Sequence, residues 1–522
     1  MCVFSSVTMA AHNPVVNMDL PDVSVVQAGN KYYMSSTTMH LSPGLPILKS
    51  DDLVNWEIVS YAYDRLVENE EINLQNGKNA YGKGSWASSL RYHNNRFYVS
   101  TFSATSGKTH IYSTTDVETG DWQSHSFEPA LHDNSLFFDD DGRVYMIYGG
   151  GQIKLIELDE DATSIKPEGL NKILIDNANL VFGEHDAGGL PAEGSQMFKI
   201  NGKYYLFTIA SPESHWSRTV IVHRADEITG PYESRIMMQD RQVAQGGLIQ
   251  APGGAWYAML FGDRGPVGRI PFLVPVSWQN NWPVLGVEGK VPDILPHLPD
   301  RAGYKGLVSS DDFERKEGDR LLPLVWQWNH NPDDKNWILL NDPGRLRIST
   351  SRIDANVLHA RNTLTQRTFG PTSSANTQIN VSNMKDGDVA GLIALQKEYG
   401  FIGVRAEGDN KIIIVEQAAP GSDKPVPPKS SVGKMLAQAS VPRGQEAVFL
   451  RIDCDFRTNV ASFYYKFGDE DWIPLGSELN MRYTIPEHFM GYRFGLFNYA
   501  TKTPGGSVDF NYYQVGKRSE IY

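Results

Sequence analysis

The sequence predicts an all-β chain, a five-bladed β-propeller followed by a jelly-roll-like β-sandwich, and three observations carry that prediction. Aromatic residues make up 11% of the 522 residues, beside 47 glycines and 29 prolines. Aromatic side chains favour strands and glycine favours tight turns. A turn followed by a short aromatic strand recurs five times in the first 290 residues, and past residue 295 that repeat gives way to plain alternating strands.

The repeat phrase reads GNKYYM (29–34), NNRFYV (94–99), DGRVYM (141–146), NGKYYL (201–206) and GGAWYA (253–258). Its last tyrosines are Tyr33, Tyr98, Tyr145, Tyr205 and Tyr257, at intervals of 65, 47, 60 and 52 residues. A strand unit recurring at about 50 residues is the mark of propeller blades. A second phrase keeps step with the first: SDDLVNW (50–56), TTDVETGDW (114–122), RADEITGPY (224–232) and VSWQNNW (276–282), with a degenerate ELDEDATSI (157–165). Each is a polar turn leading to an apolar plug, as expected where blade packs on blade. The propeller is expected over 12–290, within a first domain of 1–295.

VPDILPHLPD (291–300) carries three prolines and predicts a connection, with the linker placed at 296–308. The second domain, 309–522, contains VFLRIDCDF (448–456), SFYYKFG (462–468), RFGLFNY (493–499) and VDFNYYQV (508–515). Alternating segments divided by Gly/Asp turns predict a two-sheet sandwich. AAPGSDKPVPPKSS (418–431) is expected as an exposed loop. No amphipathic helix longer than about three turns is visible.

Composition then excludes several functions. The net charge of −13 repels a phosphate backbone, so nucleic acid is not an expected partner. Two cysteines, Cys2 and Cys454, make neither a disulfide framework nor a thiolate zinc site, and Cys2 is expected as a free thiol. No apolar run approaches the length of a membrane helix. MCVFSSVTMAAHNP has no lysine or arginine ahead of its apolar stretch, so a soluble, cytoplasmic chain is expected rather than a secreted one.

Charged residues at the entries of inner strands carry the chemistry, because burying a charge costs several kcal/mol, of order 3 or more, unless it is paired or used. Asp22 in DLPDVSVV, Asp133 in LHDNSLFF and Glu193 in LPAEGSQMF each precede a repeat phrase. Equivalent positions on successive blades face one axis, so the three carboxyls are expected to converge in register. Three carboxyls in one cavity cannot all ionise cheaply. One is driven to hold its proton and serve as an acid while another stays charged as a base. That division of labour is what glycosidic cleavage requires. The run Asp139, Asp140 and Asp141, beside a turn glycine, is expected to be solvated.

LPDVSVVQAGNKYYM, GSWASSLRYHNNRFYV, LHDNSLFFDDDGRVYM, PAEGSQMFKINGKYYL and GRIPFLVPVSW together resemble glycoside hydrolase family 43 over essentially the whole propeller. QRTFGPT (366–372) and MKDGDVAGLIALQ (384–396) resemble the β-sandwich of its β-xylosidase branch. The resemblance implies an inverting exo-hydrolase of terminal β-1,4-xylosyl or α-L-arabinofuranosyl units, with xylo- and arabino-oligosaccharides as partners. It implies Asp22 as base, Glu193 as acid and Asp133 as the residue tuning the acid. Trp86 falls where the family has an aromatic wall beside the sugar, and Arg269 where it has a sugar-contacting arginine. SSTTMHLSPGLPI (35–47) is expected on the pocket rim. Where family members place a histidine near an axial metal, usually calcium, this chain has Gln245. An amide oxygen suits a hard cation better than imidazole does.

Two rival readings remain at this stage: a non-catalytic carbohydrate-binding propeller, which has no need of three carboxyls, and an endo-acting arabinan or xylan hydrolase of the same fold. The fructan-cleaving relatives of this layout carry Asn-Asp-Pro-Asn-Gly and Arg-Asp-Pro runs that are absent here.

Overall fold

The computed structural model describes residues 10–251, 253–301, 303–418, 433–485 and 488–520. Cys2 and nearly all of the proline-bearing segment 418–431 lie outside the described residues. Five four-stranded antiparallel sheets make up the first domain, each a simple meander in chain order. The inner strands are Ser24–Ala28, Ser89–His93, Ser135–Phe138, Glu193–Ile200 and Val243–Gln250. Each touches the next and the fifth returns to the first, which closes the ring. Every repeat tyrosine lies on the second strand of its blade, and each second phrase turns the third strand into the fourth.

Packing between blades follows from these phrases. Trp282 at the last blade's outer turn is 3% exposed and lies beneath the guanidiniums of Arg224 and Arg235, at 4.2 and 4.3 Å. Asp139 departs from expectation. It is 5% exposed, accepts from Lys199 at 2.7 Å and from the Tyr204 hydroxyl at 2.6 Å, and so ties blade three to blade four. Its position at the end of an inner strand, rather than in the turn, removes it from water.

The segment expected as a linker is partly a strand. Ile294–Pro299 pairs with Ala10–His12, so the end of the propeller is clamped to its beginning. The second domain is a sandwich of two sheets, with Leu392, Ile402, Phe494 and Leu496 from one meeting Ala375, Leu450, Ile452 and Phe510 from the other. The four strands expected from the sequence form at Ala447–Asp455, Val460–Lys466, Arg493–Ala500 and Ser507–Gly516. The thiol of Cys454 is free and buried in this core.

The two domains share a sheet. Leu41–Ser42 of blade one pairs with Gln327–Asn329 and becomes the edge strand of a sandwich sheet. The phrase 35–47 therefore does not form an open rim: apart from Pro43 every residue in it is buried. Two of its polar side chains serve docking, with Ser42 Oγ donating to Asn331 at 2.8 Å and His40 Nε2 paired with Asn329 Oδ1 at 3.0 Å, while Ser35, Ser36, Thr37 and Thr38 bond within the propeller. Asp19 makes a second joint. Its carboxylate accepts from the backbone N–H of Arg269 at 2.8 Å and of Gly491 at 2.9 Å. A Cβ at Gly491 would come within 2.4 Å of the Val267 carbonyl, so only glycine allows this approach of sandwich to propeller.

Candidate active site

Strand register places the site. The repeat tyrosines pair with Val26, Arg91, Phe137, Phe198 and Ile249 on the inner strands. Four residues ahead of each partner stand Asp22, Ala87, Asp133, Gly194 and Gln245. All but Ala87 have left-handed backbone, at φ of 52°, 47°, 68° and 57°. A non-glycine residue held there costs about 1–3 kcal/mol and persists only where surrounding structure enforces it. The ring is thus a built feature of the propeller entrance.

Asp22 and Asp133 are equivalent positions, as expected, but Glu193 is not. Glycine fills its slot, and Glu193 stands one residue earlier, where the pairing of its strand is irregular. A one-residue offset in an extended strand turns the side chain to the other side. Asp22 and Asp133 are accordingly 6% exposed, whereas the Glu193 side chain is 27% exposed and reaches the mouth. The offset set is Pro21, Trp86, His132, Glu193 and Ala244, so Trp86 and His132 belong to the same tier as Glu193.

Within the axial chamber Asp22, Asp133 and Gln245 share the lining with Ser88, Asn134 and Ser195. Asp133 Oδ2 accepts from the backbone N–H of Gly194 at 2.9 Å. Burial, then the Glu193 carboxyl, push Asp133 up to about 7, against the pull of His132. Asp22 is also raised by burial, and Arg269 followed by Arg218 oppose that rise. Arg269 Nη1 donates to both Asp22 oxygens, at 2.8 and 2.9 Å. Arg269 is 2% exposed and its Nε is buried without a partner, so the arginine expected against the sugar is first of all the partner of Asp22.

Two residues at the site escaped the sequence. His132 Nε2 lies 2.9 Å from Glu193 Oε2, in contact with the expected acid. Counting its register from Tyr145 would have found it. Phe489 comes from the sandwich, with φ of 58°, and its ring centroid lies 4.1 Å from the Arg269 guanidinium. Its carbonyl accepts from Arg269 Nη2 at 3.3 Å, and its ring lies 5.6 Å from that of Trp86. Nothing in its surrounding sequence marks it, because the contact depends on how the domains dock. Trp86 stands between Phe489 and Phe102, with its indole N–H buried and unpartnered.

Gln245 packs against Gly194, where a Cβ would lie 2.7 Å from its Cγ. Among the described residues the Gln245 side chain makes no hydrogen bond, and the nearby Ser195 hydroxyl is buried without a partner. Those two neutral oxygens are among the groups the axis offers a cation, and the Asp22 carboxylate is already taken by Arg269.

Comparison with known proteins agrees with this geometry. Residues 11–283 match the family model for glycosyl hydrolases family 43, and residues 310–516 match that for the beta xylosidase C-terminal concanavalin A-like domain. A putative beta-xylosidase of Xylanibacter ruminicola is 30% identical over 88% of this chain and 82% of its own length. A non-reducing end alpha-L-arabinofuranosidase of Bacteroides ovatus is 28% identical over 73% of each. The bifunctional GH43-CE chain of Bacteroides eggerthii superposes with a TM-score of 0.92 at 49% identity, covering 98% of this chain. This chain spans 64% of that one's length. No helix among the described residues is long and apolar enough to cross a membrane.

Proposed function

The chain belongs to glycoside hydrolase family 43, and from that membership we propose that it removes terminal β-1,4-xylosyl or α-L-arabinofuranosyl units, with inversion, from xylan-derived oligosaccharides. The single observation that carries the reading is the separation of two carboxyls into different environments. Asp22 is buried and bonded through both oxygens to Arg269. Glu193, one register step out, is partly exposed and turned to the mouth.

In this mechanism Asp22 takes a proton from a water molecule as the water oxygen bonds to the anomeric carbon. The glycosidic bond breaks on the opposite side, its electron pair goes to the leaving oxygen, and Glu193 supplies the proton. Asp133, bonded to the Gly194 N–H and facing Glu193, is driven toward its protonated form by burial and by the Glu193 carboxyl, so the two resist ionising together. Trp86 forms a wall for the apolar face of the sugar. Phe489 reaches over Arg269 from the second domain and closes one side of the mouth, which favours a chain end over an internal stretch.

The family's axial cation is a further part of the reading. Gln245 Oε1 and Ser195 Oγ would hold calcium with water completing its shell, and the ion would favour the ionised state of nearby carboxylates. The reading is tested by incubating the protein with a chromogenic β-xyloside and α-arabinofuranoside and following the first sugar released by NMR. Release of neither sugar, or retention of anomeric configuration, defeats it.

A further inference from the structure

His132 is the one titratable side chain in direct contact with Glu193 that this reaction scheme does not use. It stands in the same register tier as Glu193 on the neighbouring blade, and that equivalence brings the two side chains together. Nε2 lies 2.9 Å from Glu193 Oε2 and 4.0 Å from Asp133 Oδ2. The imidazole is held in place: the Phe102 ring stands edge-on at 5.1 Å, and the His132 carbonyl accepts from the Gly149 N–H at 2.9 Å. Gly150 lies alongside the ring, close enough that a Cβ there would touch Cδ2 at 3.6 Å.

We propose that His132 is the positioning residue of the general acid: its Nε2–H donates to Glu193 Oε2, leaves Oε1 to carry the transferable proton, and stabilises the carboxylate that forms when that proton leaves. This inference rests on the assignment of Glu193 as the acid.

The proton inventory is simple. Glu193 Oε1–H gives its proton to the glycosidic oxygen, Asp22 gains one from water, and the Nε2 proton of His132 stays where it is. A hydrogen bond that strengthens as charge appears on its acceptor acts on the transition state more than on the bound substrate. The charged groups facing the imidazole are Glu193 from blade four and Asp133 beside it; Phe102 from blade two brings no charge. Burial disfavours the imidazolium, but the Glu193 hydrogen bond and the Asp133 carboxylate outweigh it and lift the group to about 9. That lift belongs to the state in which Glu193 is ionised, so the imidazolium is held most firmly as the acid gives up its proton, with 44% of the side chain open to solvent.

An acid that is assisted matters only where the leaving group needs a proton. His132→Gln keeps a donor of similar reach and removes the charge. Its kcat/KM on xylobiose, whose leaving group is a sugar hydroxyl, is expected to fall about 10–100-fold, a part of what a lost general acid costs. On a dinitrophenyl β-xyloside, which leaves unaided, it should stay within about two-fold of the parent. Equal losses on both substrates would reduce His132 to a packing residue, and no change on either would remove it from the reaction. A parent enzyme that releases no sugar would count against the proposed function instead. The contact is then judged by NMR titration of the His132 ring, whose upward displacement should shrink in Glu193→Gln to the part that Asp133 supplies. An unchanged titration overturns the inference.

Discussion

Arg269 Nη1 bridges the two carboxylate oxygens of Asp22 at 2.8 and 2.9 Å, while the same guanidinium lies 4.1 Å from the ring centroid of Phe489. One side chain therefore links the expected base of blade one, the third strand of blade five and the second domain. The arrangement explains how a carboxyl that is 6% exposed can stay available as a base. Burial raises Asp22, and Arg269 is the largest of the influences opposing that rise.

The first prediction concerns that pair. Arg269→Gln leaves Asp22 buried without its cation, so its carboxyl takes up a proton at higher pH. The acid limb of the pH–rate profile should move upward, and kcat/KM near pH 6 should fall at least about 100-fold, as for a lost general base. Breaking a buried pair from one side also costs about 3–5 kcal/mol of stability. Arg269→Lys keeps the charge and should displace the limb less. Identical pH profiles for parent and Arg269→Gln would show that the arginine does not govern Asp22.

The carboxyls themselves should separate by role. Asp22→Asn and Glu193→Gln are expected to lose about 10²–10⁴-fold in turnover on unactivated oligosaccharides while keeping fold and sugar binding. Asp133→Asn removes a negative charge facing Glu193, so the acid should give up its proton at lower pH and the alkaline limb should move down. Measured kcat above about a tenth of the parent in either of the first two variants would end their assignment.

How much of this was legible in the sequence follows from which forces are local. Tyr33, Tyr98, Tyr145, Tyr205 and Tyr257 recur because each blade repeats the same turn and strand, so blade number and second-strand positions could be counted directly. Asp22 and Asp133 were legible for the same reason. The offset of Glu193 was not, since it arises from a pairing irregularity that only the partner strand reveals. His132 could have been found by strict register counting from Tyr145. Phe489, Asp19 and the buried phrase 35–47 depend on domain docking, which joins residues hundreds of positions apart and leaves no local pattern. Asp139 misled for a related reason: its burial comes from Lys199 and Tyr204 on the next blade.

Phe489 supplies a prediction about mode of attack. Phe489→Ala opens the side of the mouth that the second domain closes and removes the ring beside Trp86 and Arg269. The parent should release single xylose units from xylohexaose from the first time point, with five-sugar product preceding three-sugar product. The variant should show a raised KM and slower single-unit release. Early equal amounts of two- and four-sugar products from the parent would show internal cleavage and remove the case for a closed pocket.

The axial cation can be tested without reference to the carboxyls. With Gln245 Oε1 and Ser195 Oγ as the proposed side-chain ligands, water must complete the shell, and calcium tolerates such loose geometry better than magnesium does. Exhaustive chelation should lower activity and thermal midpoint together, calcium should restore both better than magnesium, and Gln245→Ala should weaken the response. A calcium content of zero by elemental analysis in fully active protein would leave the axis to water.

The last prediction lies in the joint between the domains. His40 from blade one meets His330 and His488 from the second domain, with ring centroids 4.7 and 5.0 Å away, and Tyr81 closes the group at 4.6 Å from His40. All three imidazoles are at most 2% exposed, and each has a buried Nδ1 without a partner. Burial holds His40 and His330 well below the ordinary histidine value and His488 down to about 3, and Arg493 adds to the effect on His488. The unfolded chain therefore binds protons below about pH 6.5 that the folded joint refuses. Stability from these groups is complete above that pH and is lost as pH falls below it, by up to about 1.4 kcal/mol per pH unit for each histidine. His132, lifted to about 9, titrates above this window, whereas Asp133, lifted to about 7, and Asp354, lifted to about 6, take up protons in the folded state within it and offset part of the loss. The histidine share of the thermal midpoint should thus fall from about pH 6.5 to 5, and it is read as the difference between the parent and a variant that lacks one of these imidazoles. His488→Gln, which cannot charge, should show a shallower fall over the same interval. Parallel curves for parent and variant would mean that the histidine joint does not set the acid limit of the fold.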